Sequence, residues 1–154
     1  METPIHGFHN PPVESSIAFR AILNAMSKPG TVQPILVDLA PVEGINKGTQ
    51  LAALTLTDHE SPVKQSVIEF LRFHCSAPVS SDLSGIQFAF LSKWHGAASL
   101  PPFPLGTPTF PDRSTTLIIE VESFKKGEGV TLSGPGVKTT ENFDAVGLGP
   151  DFWG

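Results

Sequence analysis

The run of apolar residues before Pro29-Gly30 constrains the fold of this chain more than any other feature. Pro29 cannot continue a helix and Gly30 permits a sharp turn, so a helix must end here. Because Pro34 cannot donate to a central ladder, residues 31–37 are expected to form an edge strand. The sequence predicts a helix over residues 13–26 that buries four side chains at helical spacing: Ile17, Ala21, Ile22 and Met26.

The composition indicates one globular domain. The chain has 154 residues, of which 40% are hydrophobic and 16% charged, and this length can bury enough surface to hold a core unaided. A net charge of −5 with scattered basic residues argues against nucleic-acid binding, since phosphate contacts need clustered lysine and arginine. Cys75 is the sole cysteine, so no intrachain disulfide can form and a reducing compartment is expected.

We also expect no targeting signal. The start of the sequence lacks the basic and apolar regions of a secretory peptide, and no apolar run approaches the roughly 18 residues that a membrane span needs. We therefore expect a cytoplasmic protein that does not contact the membrane.

Periodicity predicts a mixed α/β domain. Residues 49–56 and 65–74 read as further helices, and a partly antiparallel sheet is expected from three β-rich runs: 87–91, 115–121 and 129–132. The strand at 115–121 is expected to lie in the core, and the first helix is expected to pack on it beside Leu117 and Ile119. Five prolines make residues 100–113 an ordered loop or a tether. Residues 1–12 read as an N-terminal arm, and residues 13–154 as a single domain.

The loop at 133–139 is the clearest candidate for an anion or partner contact. Glycines after a strand let backbone amides approach an anion, and a lysine could add charge. The residues concerned are Ser133, Gly134, Gly136 and Lys138. A Walker A loop would need glycine at positions 137 and 132, counted from Lys138, and the chain has valine and leucine there. A tight turn leaving an edge strand is the favoured interpretation.

Other titratable groups are weaker candidates. Asp58, His59 and Glu60 are consecutive in a predicted loop, where a turn or capping role is favoured over acid–base chemistry. His74 and Cys75 would diverge by about 100° on a helix and do not form a dyad by themselves. Arg20 follows an aromatic residue, which suits either an interface or a side chain lying over the core. We expect no catalytic residues, no metal and no cofactor.

Five segments, in the same order as in a known family, resemble PhnH, a subunit of the bacterial carbon–phosphorus lyase system. They span Phe19 to Gly136 and read FRAILNAMSKPG, LAALTLTDHESPV, LRFHCSAPV, FPDRSTTLIIEV and LSGPG. The resemblance implies a three-layer α/β fold with helices packed on a mixed sheet. It implies a layout distantly similar to that of pyridoxal-phosphate transferases, without their cofactor. The family normally continues through a helix to a late strand, so about the last fifth of the domain is expected to be absent here.

The resemblance also implies a function by contact rather than catalysis. A PhnH-like protein would be a non-catalytic subunit, a homodimer that associates with PhnG, PhnI and PhnJ. That complex forms the ribose 1-phosphonate 5-triphosphate intermediate from a phosphonate and ATP. The alternative is a small stand-alone phosphate-ester or nucleotide-binding enzyme that uses the 133–139 loop together with Asp58 and Glu60.

Overall fold

The computed structural model describes residues 7–58, 63–64, 76, 78 and 80–154. Within this part of the chain, two α-helices and five β-strands form a mixed α/β fold, as predicted. In chain order the elements are α1 (Pro11–Ser27), α2 (Lys47–Leu56), β1 (Val63–Lys64), β2 (Phe88–Leu91), β3 (Thr116–Ile119), β4 (Ser123–Leu132) and β5 (Glu141–Val146). Single turns of 3₁₀-helix add Ala97–Ser99, Pro111–Arg113 and Pro150–Phe152.

Helix α1 begins at Pro11, two residues before the predicted start, and ends at Ser27, just before Pro29 as predicted. Pro11 occupies the first helical turn, where a missing N–H costs nothing, and the backbone N–H of Asn10 donates to Glu14 Oε2 at 2.9 Å. At the other end, Lys28 still donates to carbonyls of the last turn, and Gly30 then takes a positive φ of 82°. The predicted helix over 13–26 is confirmed, with one further residue at its end and Pro11 as its start.

The predicted buried stripe of α1 is wrong at two positions. Ile17 is 42% exposed and Met26 is 61% exposed, whereas Ala18 is fully buried. The reason is that α1 packs chiefly on α2 and not flat against β3. This turns the helix so that Ala18 and Ile22 face the core, and Ile22 reaches the cluster that contains Ile118.

Helix α2 forms the centre of the core. The side chain of Asn46 caps its first turn by accepting from the N–H of Thr49 at 2.8 Å. One face of the helix meets Ile45 and Phe90. Another face, at Leu51, meets Val37 and Leu39. The helix predicted over 49–56 is confirmed and begins at Lys47.

The edge strand predicted over 31–37 is wrong. This segment has no strand partner among the described residues and runs as irregular chain. Its apolar residues pack on α2 instead, because Val37 and Leu39 are buried against Leu51. Packing on a helix satisfies the same hydrophobic pattern that a strand would.

The strands form two separate sheets. Strands β1, β2 and β3 are parallel and lie in that order, and Phe88 pairs with Thr116. Strands β4 and β5 form an antiparallel pair of their own, with a bulge between Lys126 and Val130. The prediction of a single mixed sheet is therefore wrong for the described residues. The chain after β3 turns away and pairs with its sequence neighbour, which needs only a short loop.

The remaining predicted strands and loops can be compared with the observed elements. The strands predicted at 87–91 and 115–121 are β2 and β3, and 129–132 is the second half of β4. Strand β3 is half-buried along its length, not enclosed in the core as expected. Residues 100–113 are an ordered loop, closed by a bridge between Leu105 and Ser114. The helix predicted over 65–74 lies outside the described residues.

Candidate functional site

The predicted loop after β4 is a turn that packs on the end of α1. The N–H of Val137 donates to the carbonyl of Gly134 at 3.1 Å and closes the turn. Gly136 has φ of 83°, and a Cβ atom at this position would lie 2.5 Å from the carbonyl oxygen of Ser27 and 2.8 Å from Cδ of Pro29. Only a glycine therefore fits here, because the backbone of the turn approaches the helix end directly.

Gly30, in the turn after α1, contributes to the same contact. A Cβ atom there would lie 3.1 Å from Cδ1 of Leu132 and 3.3 Å from Cβ of Glu141. The KPG turn after α1 thus lies across the base of the β4–β5 connection, and the GPG turn lies across the end of α1. Two turns about a hundred residues apart in the sequence interlock as one unit, which we call the KPG–GPG contact.

The residues predicted to contact an anion or partner lie on several different elements. Ser133, Gly134 and Lys138 are exposed on the turn. Arg20 is exposed on α1, about two helical turns before Ser27. Asp58 is exposed just beyond α2, whereas Glu60, His59, His74 and Cys75 lie outside the described residues. An anion or partner contact by these side chains stays a prediction.

A groove between α1, α2 and β3 was missed by sequence reasoning. It has a volume of about 430 Å³ and is lined by Ile22, Ala25 and Met26 of α1, by α2, by residues 116–121 and by Phe124. Its lining is mainly apolar, with a polar minority that includes Asn46, Thr49 and Glu120. A signal for it existed in the sequence, because the apolar stripe of α1 contains more large side chains than one packed face can bury.

Glu120 lies where this groove meets a smaller polar cavity. Its Oε1 accepts from the hydroxyl of Thr49 at 2.5 Å and from the N–H of Asn46 at 3.3 Å. The polar cavity, about 320 Å³, is lined by Glu120 together with Ser92, Lys93 and Glu122 among others. Glu120 therefore ties the end of β3 to the first turn of α2, where a negative charge is favoured by the helix dipole.

A second carboxylate holds the last residues of the chain to the loop after β2. Asp151 Oδ2 accepts from the N–H of Ala97 at 2.7 Å, and Oδ1 accepts from Nε1 of Trp94 at 3.3 Å. These hydrogen bonds favour the charged form and hold the pKa of Asp151 below its ordinary value of 3.8. The hydrogen bond from Ala97 has the larger effect on this pKa, and that from Trp94 has the smaller one. Trp94 also meets Phe152 edge to face, with ring centroids 5.1 Å apart.

The described part of the chain lacks both a metal-binding cluster and a membrane-spanning helix. No group of three histidine, cysteine, aspartate or glutamate side chains there could hold a metal ion. Among the same residues, no helix combines the length and the apolar character that crossing a membrane requires.

Comparison with known proteins gives a consistent family. The sequence matches the bacterial phosphonate metabolism protein family (PhnH) over residues 6–154. It is similar to the alpha-D-ribose 1-methylphosphonate 5-triphosphate synthase subunit PhnH of Rhizobium meliloti (strain 1021), with 33% identity over 138 residues, 85% of this chain and 69% of that protein. HtxG of Stutzerimonas stutzeri, provisionally named a C-P lyase subunit protein, is 25% identical over 144 residues, 88% of this chain and 67% of HtxG. The resemblance seen in the five sequence segments is confirmed, and this chain belongs to the PhnH family.

Proposed function

We propose that this protein is a subunit of a carbon–phosphorus lyase assembly that breaks down organic phosphonates. In this role it contributes to forming ribose 1-phosphonate 5-triphosphate from a phosphonate and ATP. The observation that carries the proposal is the similarity, over 85% of the chain, to a named subunit of the synthase that makes such a compound. Action by contact with other subunits, in the cytoplasm, is part of the same proposal.

The KPG–GPG contact supports a structural role for the family segments at residues 19–30 and 132–136. Gly136 packs against Ser27 and Pro29 on the side where a Cβ would lie, while the residue as a whole stays exposed. A phosphate cradle needs several amides of a glycine-rich loop to converge on an open space. The N–H of Val137 is used inside the turn, where it donates to Gly134, and this supports a structural turn in a subunit over the phosphate cradle of a stand-alone enzyme at residues 133–139.

Exposed apolar side chains on α1 support action by contact. Val13, Ile17, Phe19, Leu23 and Met26 are each between 42% and 61% exposed. Phe19, Leu23 and Met26 follow one another at helical spacing and form a stripe on one side of the helix. Contiguous apolar surface of this kind is typical of protein interfaces. It supports, within this proposal, a homodimer and association with PhnG, PhnI and PhnJ. The distant likeness in layout to pyridoxal-phosphate transferases remains a prediction.

Growth on methylphosphonate as the phosphorus source tests the proposal directly. A host bacterium that lacks its own PhnH gene is supplied with this chain, and restored growth is the expected result. The chain should also co-purify with the host PhnG, PhnI and PhnJ proteins. A Leu23→Lys variant, changed at an exposed position of the α1 stripe, should fold normally but lose that association.

The enzyme alternative makes the opposite prediction. The isolated chain would then hydrolyse a phosphate ester such as p-nitrophenyl phosphate, and Lys138→Ala would abolish the turnover. Turnover of this kind, together with no growth and no co-purification, would reject the subunit role.

A further inference from the structure

The smaller, polar cavity lies at the carboxyl ends of two parallel strands. Ser92 and Lys93 follow directly after β2, residues 120–122 follow directly after β3, and all five line the cavity. Because β2 and β3 are parallel, with Leu91 paired with Ile119, both chains leave the sheet at the same edge. In open parallel sheets, ligands bind in the crevice outside the carboxyl ends of the strands. The topology therefore places this cavity where a ligand site is expected.

The wall of the cavity after β3 is held by hydrogen bonds to three other elements. The N–H of Glu120 donates to the carbonyl of Leu91, at the end of β2, at 2.9 Å. The N–H of Glu122 donates to the carbonyl of Val146, at the end of β5, at 2.8 Å. The carboxylate of Glu120 accepts from the first turn of α2, at Thr49. These contacts fix the position of the wall before any ligand binds.

Charges of both signs lie at this cavity without pairing with each other. Lys93 and Glu122 both line it and are both exposed. Within the described residues, the ion pairs are those of Lys47 with Asp38 and of Lys125 with Glu128, so Lys93 is not paired with either glutamate of the cavity. One ammonium group and one carboxylate group are thus available at the same place. Glu120 contributes a second negative charge beside them.

We propose that this cavity binds a small zwitterion, a molecule with an ammonium group and an anionic group on a short carbon chain. The ammonium group contacts Glu122, and the anionic group contacts Lys93, the one cationic side chain among the described lining residues. The first turn of α2 is not a rival site for the anion, because Glu120 already accepts from it. A volume of about 320 Å³, that of about ten water molecules, is sufficient for such a ligand.

The anionic group of the zwitterion is a carboxylate or a phosphonate, since Lys93 pairs with both. The proposal goes beyond the lyase role and does not depend on it, because it rests on the position and the charges of the cavity. β-Alanine and 2-aminoethylphosphonate are suitable probes, since they share the ammonium group and the two-carbon chain and differ in the anion. The one that binds more tightly identifies the anionic group.

Titration of the isotope-labelled chain, followed by the amide signals in NMR spectra, tests the proposal. At least one of the two zwitterions should bind with a Kd of about 1 mM and shift the signals of Ser92, Lys93, Glu122 and Gly147. Ethylamine lacks the anion and ethylphosphonate lacks the ammonium group. Each should bind about fivefold more weakly than the better zwitterion, as expected when one exposed ion pair is lost.

Two variants separate the two charges. Lys93→Met should weaken binding of the zwitterion about fivefold and leave that of ethylamine unchanged. Glu122→Gln should weaken binding of the zwitterion and of ethylamine and leave that of ethylphosphonate unchanged. Lys126→Met and Glu43→Gln make the same changes of net charge at exposed positions that do not line the cavity, and both should bind as the native protein does.

Three outcomes would overturn the proposal. Neither zwitterion shifts the four signals at concentrations up to about ten times the expected Kd. Ethylamine or ethylphosphonate binds as tightly as the zwitterions, which would indicate a site for a single charge. Lys93→Met and Lys126→Met weaken binding equally, which would indicate attraction by the net charge of the protein. The growth assay has no bearing on these results, because the titration uses the isolated chain.

Discussion

Gly136 shows how one residue can be required for two reasons at once. Its φ of 83° lies in the left-handed region, and a side chain there would also collide with the carbonyl of Ser27. Gly127 has the same φ of 83° but open space around it. The pair therefore separates the conformational cost of a left-handed residue from the steric cost of the contact.

Gly136→Ala should lower the free energy of unfolding by about 2–4 kcal/mol, through the left-handed backbone and an overpacked contact together. Gly127→Ala should lose only about 1 kcal/mol, because it has the first cost without the second. Urea denaturation of both variants is the measurement. Equal losses at the two positions would show that the GPG turn does not press on the end of α1.

Ile22 and Leu23 make a second matched pair on α1. Ile22 is half-buried against the core cluster that includes Ile118, whereas Leu23 is 53% exposed. Ile22→Ala should cost about 2 kcal/mol, the lower end of the range for a core cavity, since the site is not fully enclosed. Leu23→Ala should cost less than about 0.5 kcal/mol. A smaller loss for Ile22 than for Leu23 would mean that the helix is rotated from the position described.

The sequence predicted the local role of these residues but not their partners. Pro29 and Gly30 announce a helix end because their backbone restrictions are intrinsic. That Gly30 also lies against Leu132 depends on a contact between residues a hundred positions apart, and no local pattern encodes it.

At the scale of elements, periodicity predicted which segments are helices and strands more reliably than what they pack on. The apolar spacing of α1 fits a helix whatever it meets, so the choice of β3 over α2 as its neighbour was not determined by the stripe. The strand predicted over residues 31–37 is wrong for a related reason, because alternating apolar residues can pack on a helix without pairing in a β-sheet. The groove along β3 is explained by the packing of α1. Because α1 packs on α2 and not on β3, no described element covers this edge of the strand.

Asp151 links two elements and gives a pH-dependent prediction. Its pKa in the folded protein lies below 3.8, so its contribution to stability is present above that pH and is lost as the pH falls through the lowered value. Asp151→Asn should therefore be less stable than the native protein at neutral pH, and the difference should disappear in acid. Denaturation followed by tryptophan fluorescence is suitable, since Trp94 and Trp153 are the two tryptophans of the chain and both lie near Phe152.

A second exposed carboxylate, that of Asp82, supplies a control for that measurement. Asp82 has a pKa lowered by hydrogen bonds from Ser84, its own sequence neighbour, and joins no second element. Asp82→Asn should change the acid dependence much less. If Asp151→Asn and native protein differ by the same amount at every pH, the hydrogen bonds to Ala97 and Trp94 do not depend on the charge.

At the scale of the whole molecule, the protein is expected to act as a contact-making subunit. Light scattering at micromolar concentration should show a homodimer or, with the PhnG and PhnI proteins added, a larger complex. The interface should bury about 800 Å² or more per partner. Leu36→Lys is a suitable control for Leu23→Lys, because Leu36 is 84% exposed and is not part of α1. A monomer that ignores both proteins would contradict this prediction.

The KPG–GPG contact has a consequence for how the chain acquires its structure during synthesis. The end of α1 contacts a turn that lies about a hundred residues further along, so a ribosome must add about a hundred residues after the helix before that turn exists. Contacts between such distant positions close a large loop and form late. The backbone of the last turn of α1 therefore stays uncovered on this side until the GPG turn has been made.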